Sequence, residues 1–320
     1  LHYYLNRGDG IALANQQNRR RRGDAAMNNV VRVKAPKWTI IKRRVLDVGK
    51  WVFLFAVIML LYFPIIVIII QSVNKNVQGT YFSGFTLEWY KRMFRDEDLM
   101  GAIQNTISIA VLATLISTVL GTIFALGINS LNSRRRRQMI ILNNVPVLNA
   151  DVVTGVSLFF IFKFFGVFVG REFILGYETM LIAHVFFCIP YVVLSVLPKL
   201  NEVDKNLYDA ALDLGCPPLG ALMKVIIPSI RTGIFTGALL AFTMSFDDFV
   251  ISYLVAGEEV KNFSMWIYAS QRAAGRTLAW PKAYAYNAII SLVVLLILII
   301  YNIVLIKKQK RERKVRVNLS

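Results

Sequence analysis

Long uncharged runs, not alternating faces, dominate the pattern of this chain. Residues 51–70, 99–129 and 283–306 contain no Asp, Glu, Lys or Arg. Residues 138–162 hold one acid, Asp151, and 173–197 hold one, Glu178, near the start. Residues 232–257 hold only the pair Asp247 and Asp248. A hydrocarbon core about 30 Å thick takes roughly 20 residues of helix to cross. The pattern therefore predicts six membrane spans and an all-α polytopic membrane protein. Composition agrees: 56% of the 320 residues are hydrophobic and 18% charged, against about 25% charged in soluble domains.

The formal charge of +18 raises the question of nucleic acid, and its placement answers it. Arg19–Arg22 and Lys42, Arg43 and Arg44 precede the first run. Arg134–Arg137 fill the turn between the second and third. Lys307, Lys308, Lys310, Arg311, Arg313, Lys314 and Arg316 follow the last. Six crossings put all three clusters on one side, and the positive-inside rule makes that side the cytoplasm. The loop 71–98, on the other face, balances Lys75, Lys91, Arg92 and Arg95 against Glu88, Asp96, Glu97 and Asp98. The expectation is a bacterial inner-membrane protein with both termini inside, its basic tails serving topology and contact with anionic lipid.

The first run is too long for the apolar region of a cleavable signal and reads as an uncleaved span. The polar segment before Met27 has two readings, a flexible tail or residues ahead of a start at Met27. The expected division is a basic tail over 1–49, with 1–27 disordered, a six-helix transmembrane domain over 50–306 that includes the loop 199–231, and a second basic tail over 307–320. In the external segment, residues 82–86 read as a strand or turn, followed by a short amphipathic helix that Thr86 can cap, with Glu88 in its first turn. Gly121 and Ala125 offer small faces for helix contact. Asn143, Asn144, Pro146, Asn149 and Asp151 place many polar groups at the start of span three. His184 in span four reads as a packing or hydrogen-bonding residue, with no second motif for a metal site. Cys188 and Cys216 read as free thiols.

The loop 199–231 is patterned. Leu207, Ala210, Ala211 and Leu214 mark one side of a first short helix, which Gly215 ends and Pro217 and Pro218 keep from continuing. A second, about 219–227, is closed by Pro228. Two short amphipathic helices at a bend suit docking on a partner, and physically also suit lying on lipid headgroups.

Asp209-Ala210-Ala211, three residues, Gly215, nine residues, then Val225-Ile226-Ile227-Pro228 resembles the "EAA" loop of ABC importer permeases, with Asp209 in place of Glu. Residues 242–250 (Phe-Thr-Met-Ser-Phe-Asp-Asp-Phe-Val), Asn149-Ala150-Asp151-Val152-Val153, the segment 183–190 and Phe85-Thr86-Leu87-Glu88-Trp89-Tyr90 resemble permeases of the spermidine/putrescine type. The likeness covers about residues 50–306. Ala150 stands where that family commonly has proline.

The resemblance implies the type I ABC importer permease fold (MetI-like) and half of a translocation path for polyamines. It implies as partners a homologous second permease (PotB-like), two ABC ATPases (PotA-like) and an external substrate-binding protein (PotD-like). Asp209, Ala210, Ala211, Gly215 and Pro228 would couple the subunit to the ATPase. The chain has no Walker-type glycine loop, so the expectation is a non-enzymatic subunit that binds no cofactor or metal, with ATP and Mg²⁺ used by its partners.

Carboxylates at bilayer depth usually face a cavity or a counter-charge. Asp151, Asp247 and Asp248 are therefore pathway candidates, and for the adjacent pair structural pairing or capping at a helix break stands beside that reading. Tyr191, Phe242 and Phe246 can add aromatic faces for alkylammonium groups, or simply pack. Another small solute carried by the same machinery, or a channel, secondary transporter or scaffold, are the alternatives.

Overall fold

The computed structural model describes residues 37–77, 79, 81–169, 175–204, 206–272 and 279–318. The Arg19–Arg22 cluster, the expected disorder of 1–27 and the question of Met27 lie outside the described residues. The chain divides into two units, 1–64 and 65–320. One helix, α1 (Lys37–Ser72), runs through both. From Val48 to Ile66 its apolar side chains, Trp51 and Leu60 among them, are exposed, as suits a hydrocarbon solvent.

The second unit is helical, and among its described residues β-pairing is limited to an isolated antiparallel bridge between Asn74 and Phe85. That bridge lies in the segment expected to be strand or turn. α2 (Glu88–Arg95) follows it, and Thr86 Oγ1 accepts from Glu88 N at 3.2 Å, holding the first turn. α3 is Glu97–Ser130, α4 Ser133–Leu148, α5 Asp151–Val169 and α6 Tyr177–Glu202. α7 (Asn206–Asp213) and α8 (Pro218–Ser229) form the patterned loop. α9 (Arg231–Phe246), α10 (Val250–Val255), α11 (Phe263–Arg272) and α12 (Ala279–Asn318) complete the chain.

Among the described residues, five helices are long and apolar enough to cross a membrane, and a sixth is counted when α8 and α9, bent by 70°, are taken together. Two expected spans are not continuous. The run 138–162 is interrupted at Asn149, whose extended backbone (ψ 149°) separates α4 from α5. Its polar residues cluster at that interruption, where the carbonyl of Ala150 starts α5 by accepting from Val153 N at 2.9 Å. The run 232–257 is interrupted at 247–249, between α9 and α10. Hydropathy averages over both breaks because each run holds no more than two charged residues.

The core is three helices, α3, α6 and α9, packed together. α6 is the axis: Met180, Ala183, His184, Cys188, Val192, Val193 and Val196 along it are almost completely buried. Close approach depends on glycine. A Cβ on Gly121 of α3 would lie 2.7 Å from Val192 Cβ, and one on Gly237 of α9 would lie 3.1 Å from Val192 Cα. Val192 is thus gripped from two sides, in the small-residue mode by which helices associate in lipid. α10 packs on α5 in the same manner, with Gly155 receiving the Leu254 side chain. A second cluster, with Trp89, Met93, Leu99, Trp266 and Tyr286, joins α2, α3, α11 and α12 at the opposite end. There Lys282 pairs with Asp96, which also caps α3 by accepting from Leu99 N at 3.0 Å.

Gly121→Leu is expected to lower the thermal unfolding midpoint in detergent, overpacking costing about 1–3 kcal/mol. Adding Val192→Ala should recover part of that loss.

Candidate translocation site and docking loop

The break in the fifth span is where polar side chains meet. α9 ends with Asp247 N donating to Thr243 O at 3.4 Å. Three residues on, α10 begins with amides that have no carbonyl partner in the preceding turn. Asp248 supplies the acceptors: Oδ2 takes Ser252 N at 2.8 Å and Oδ1 takes Ile251 N at 3.3 Å. The same Oδ2 accepts from Ser252 Oγ at 2.7 Å. Two further side chains close the site. His184 on α6 places Nδ1 2.6 Å from Ser245 Oγ and Nε2 3.0 Å from Ser252 Oγ. Asn262 donates Nδ2 to Asp248 O at 2.8 Å and to Ser252 Oγ at 3.0 Å.

An ionised carboxylate only accepts, so Ser252 O–H donates to Asp248. The serine oxygen then accepts from both Asn262 Nδ2–H and His184 Nε2–H. A neutral imidazole protonated at Nε2 fits this set, Nδ1 then accepting from Ser245 O–H, and His184 joins the last turn of α9 to the first of α10. At 3.6 Å its Nε2 and Asp248 Oδ2 are too far apart for a hydrogen bond.

Serine, histidine and aspartate together suggest a hydrolytic triad, and the arrangement excludes one. The carboxylate bonds the serine, not Nδ1, and Nδ1 carries a second serine. The side chains of His184 and Asp248 are 1% and 7% exposed, which leaves no access for a substrate.

The other pathway candidates lie differently. Asp247 is exposed, as is Asp151 in the first turn of α5. Asp247 and the half-buried Tyr191 each lie within electrostatic range of Asp151. Phe242 and Phe246, in the turns leading to Asp247, stack with centroids 5.5 Å apart. Asp151 thus lies within electrostatic range of both Asp247 and Tyr191, and the stacked aromatic pair precedes Asp247 on α9. The fold takes Asp248 out of the group and uses it as a cap. Ser245, Ser252 and Asn262 carry no sequence signal, because lone hydroxyls and amides are common in membrane helices. His184 was legible only as a hydrogen-bonding residue. Among the described residues, no three His, Cys, Asp or Glu side chains are grouped to hold a metal.

The loop at the far end of α6 has its own logic. Cys216 N donates to Ala211 O at 3.1 Å and Gly215 N to Leu212 O at 2.9 Å, the paired bonds of a Schellman end. Gly215 takes φ +84° to allow them. The buried face of α7 is narrower than the one-sided row expected: Ala211 is buried, while Leu207, Asp209, Ala210 and Leu214 are exposed, Leu214 at 88%. Leu219 and Met223 continue this apolar surface onto α8.

α8 does not close at Pro228. A π turn over Leu222–Ile226, in which Ile227 N reaches Leu222 O, carries the helix through to Ser229. The π turn relieves the clash of the proline ring with the preceding turn. The bend comes at Ile230, which is wholly buried. A cavity of about 540 Å³ lies under the loop, lined by Leu126, Leu200, Tyr208 and Leu222 among others.

A multi-span helical bundle with an acid-bearing break and an exposed two-helix loop at one end defines a membrane transport subunit. The chain belongs to the family of binding-protein-dependent transport system inner membrane components, whose model matches residues 136–310. It is 32% identical to the spermidine/putrescine transport system permease protein PotC of Haemophilus influenzae over 217 residues, 68% of this chain and 82% of that one. It is also 32% identical to the putrescine transport system permease protein PotI of Escherichia coli K12 over 247 residues, 77% and 84% of the two. Among solved structures it matches a bacterial ABC transporter involved in the import of the acidic polysaccharide alginate. There the TM-score is 0.65 and the identity 17%, with 81% of this chain and 96% of that chain covered. The type I importer permease fold and the multi-pass membrane character follow, and the family is a transport subunit rather than an enzyme.

Asp248→Ala should destabilise the subunit by about 3 kcal/mol, since it removes charge-assisted bonds and orphans buried donors. Asp247→Asn should stay within about 0.5 kcal/mol, as exposed substitutions do. Thermal unfolding of the purified subunit in detergent compares the two.

Proposed function

We propose that this chain is one permease subunit of an ATP-driven polyamine importer, with spermidine and putrescine as cargo. The observation that carries the reading is that Asp151 lies within electrostatic range of both Asp247 and Tyr191, with the stacked Phe242 and Phe246 leading to Asp247. Exposed carboxylates along a membrane helix are costly unless they face water or a cation. A dehydrating polyammonium chain supplies that cation, and its methylene segments suit aromatic faces. The relatives PotC and PotI, permeases of spermidine/putrescine and putrescine transport systems, agree with such cargo.

Coupling is assigned to α7 and α8. Ala210, Leu214, Leu219 and Met223 present an exposed apolar surface, with Asp209 beside it, to a cleft of an ATPase subunit. Gly215 allows the turn between the helices, and the bend at Ile230 passes their movement into α9. ATP and Mg²⁺ are used by two PotA-like ATPases; a PotB-like second permease completes the path, and a PotD-like binding protein delivers cargo. A structural neighbour, the alginate ABC transporter in complex with a pentasaccharide-bound periplasmic protein (TM-score 0.61, 17% identity, 81% of this chain and 94% of that one), supports a binding-protein partner. The basic clusters orient both termini to the cytoplasm.

Proteoliposomes containing this subunit, its permease and ATPase partners and an external binding protein should take up radiolabelled spermidine or putrescine only with ATP and the binding protein present. Uptake of neither polyamine, by a complex whose ATPase responds to another loaded binding protein, overturns the cargo and keeps the machine. Leu214→Asp should abolish co-purification of the ATPase while leaving the subunit's unfolding midpoint unchanged, because Leu214 supports nothing within the chain.

A further inference from the structure

Two adjacent carboxylates at the break do opposite things, and side chains from outside the break decide which does which. In a continuous helix, neighbours point about 100° apart and either can be inward. Here the backbone is free to turn at 247–249, so its rotation has to be set by something else. His184 holds both ends: Ser245 in the last turn of α9 and Ser252 in the first of α10. It hangs from α6, the most buried helix of the core.

Asn262 adds a second tie, binding the Asp248 carbonyl and the Ser252 hydroxyl, while its Oδ1 accepts from Met265 N at 2.8 Å and starts α11. α11 is fixed to α3 in turn: Phe263 N donates to Thr106 Oγ1 at 2.8 Å, and Asn105 Nδ2 to Lys261 O at 3.0 Å. The break is therefore referenced to two core helices. With Asp248 drawn inward, Asp247 is left on the exposed side toward Asp151.

We propose that His184 and Asn262 are positioning residues for transport: by fixing the rotation of the break, they keep the Asp247 carboxylate in the path and the Asp248 carboxylate out of it. The proposal rests on the reading of Asp247 as a pathway group. It assigns no cargo contact to either positioning residue. A neutral clamp suits this role, since a cation at His184 would compete with the cargo for both carboxylates.

The test is a double-variant cycle in proteoliposomes holding the whole complex, read as polyamine imported per ATP hydrolysed with loaded binding protein outside. A merely structural defect lowers transport and hydrolysis together and leaves this ratio in place. Asp247→Asn should lower the ratio by about tenfold, the order expected for one lost charged contact. His184→Ala and Asn262→Ala should lower it as well, and neither should lower it further when combined with Asp247→Asn. His184→Gln, which retains an N–H for Ser252, should restore most of the ratio.

If Asp247→Asn lowers the ratio and the two positioning variants do not, or if their effects multiply with it, the proposal is wrong and the pathway reading stands. If Asp247→Asn itself has no effect, the pathway reading fails first and the proposal with it. Should His184→Ala not assemble, Ser245→Ala, which removes one end of the clamp alone, takes its place under the same criteria.

Discussion

A helix interrupted inside hydrocarbon exposes amides and carbonyls that lipid cannot satisfy, so the protein has to satisfy them itself. The interruption at 247–249 meets that constraint with Asp248, Ser252, His184 and Asn262, and much of the second unit follows from it. Asp248 is committed to the amides of α10, which is why it is lost to any path. α10, once started, packs on α5 through Gly155. The amide of Asn262 anchors the start of α11, and with it the cluster around Trp266. The break is a built feature of the core, held by hydrogen bonds from both sides.

The second dependence is the close packing of α3 and α9 on α6. Glycines at 121, 233 and 237 let backbone approach side chain at van der Waals distance, and interiors packed this tightly move as units. The two-helix loop meets that unit through Ile226 and Ile230, both buried in the same core cluster, with Ile230 at the 70° bend between α8 and α9. α9 runs from that bend to the break that carries Asp247.

The fold alone does not choose the cargo. The same architecture is found in an importer of an acidic polysaccharide, a polyanion, whereas this chain sets carboxylates at its break. Function resides in side chains placed on a shared scaffold, and in this chain Asp151 on α5 and Asp247 at the end of α9 are exposed.

Much of this was legible in the sequence. Uncharged runs marked the membrane helices because hydrocarbon tolerates few charges, and the basic clusters predicted sidedness for the same electrostatic reason. The Asp-Ala-Ala…Gly spacing located the docking loop because a left-handed turn after a short helix selects glycine, as φ +84° at Gly215 requires. Tertiary structure decided the rest. Hydropathy treats 138–162 and 232–257 as continuous, since neither break carries enough charge to divide the apolar run around it. The role of Pro228 depended on a π turn, a register change that no local pattern specifies. Asp247 and Asp248 are identical neighbours in sequence. Asp248 bonds Ile251 and Ser252 just after it, His184 and Asn262 from outside the break hold Ser252 in place, and Asp247 stays exposed.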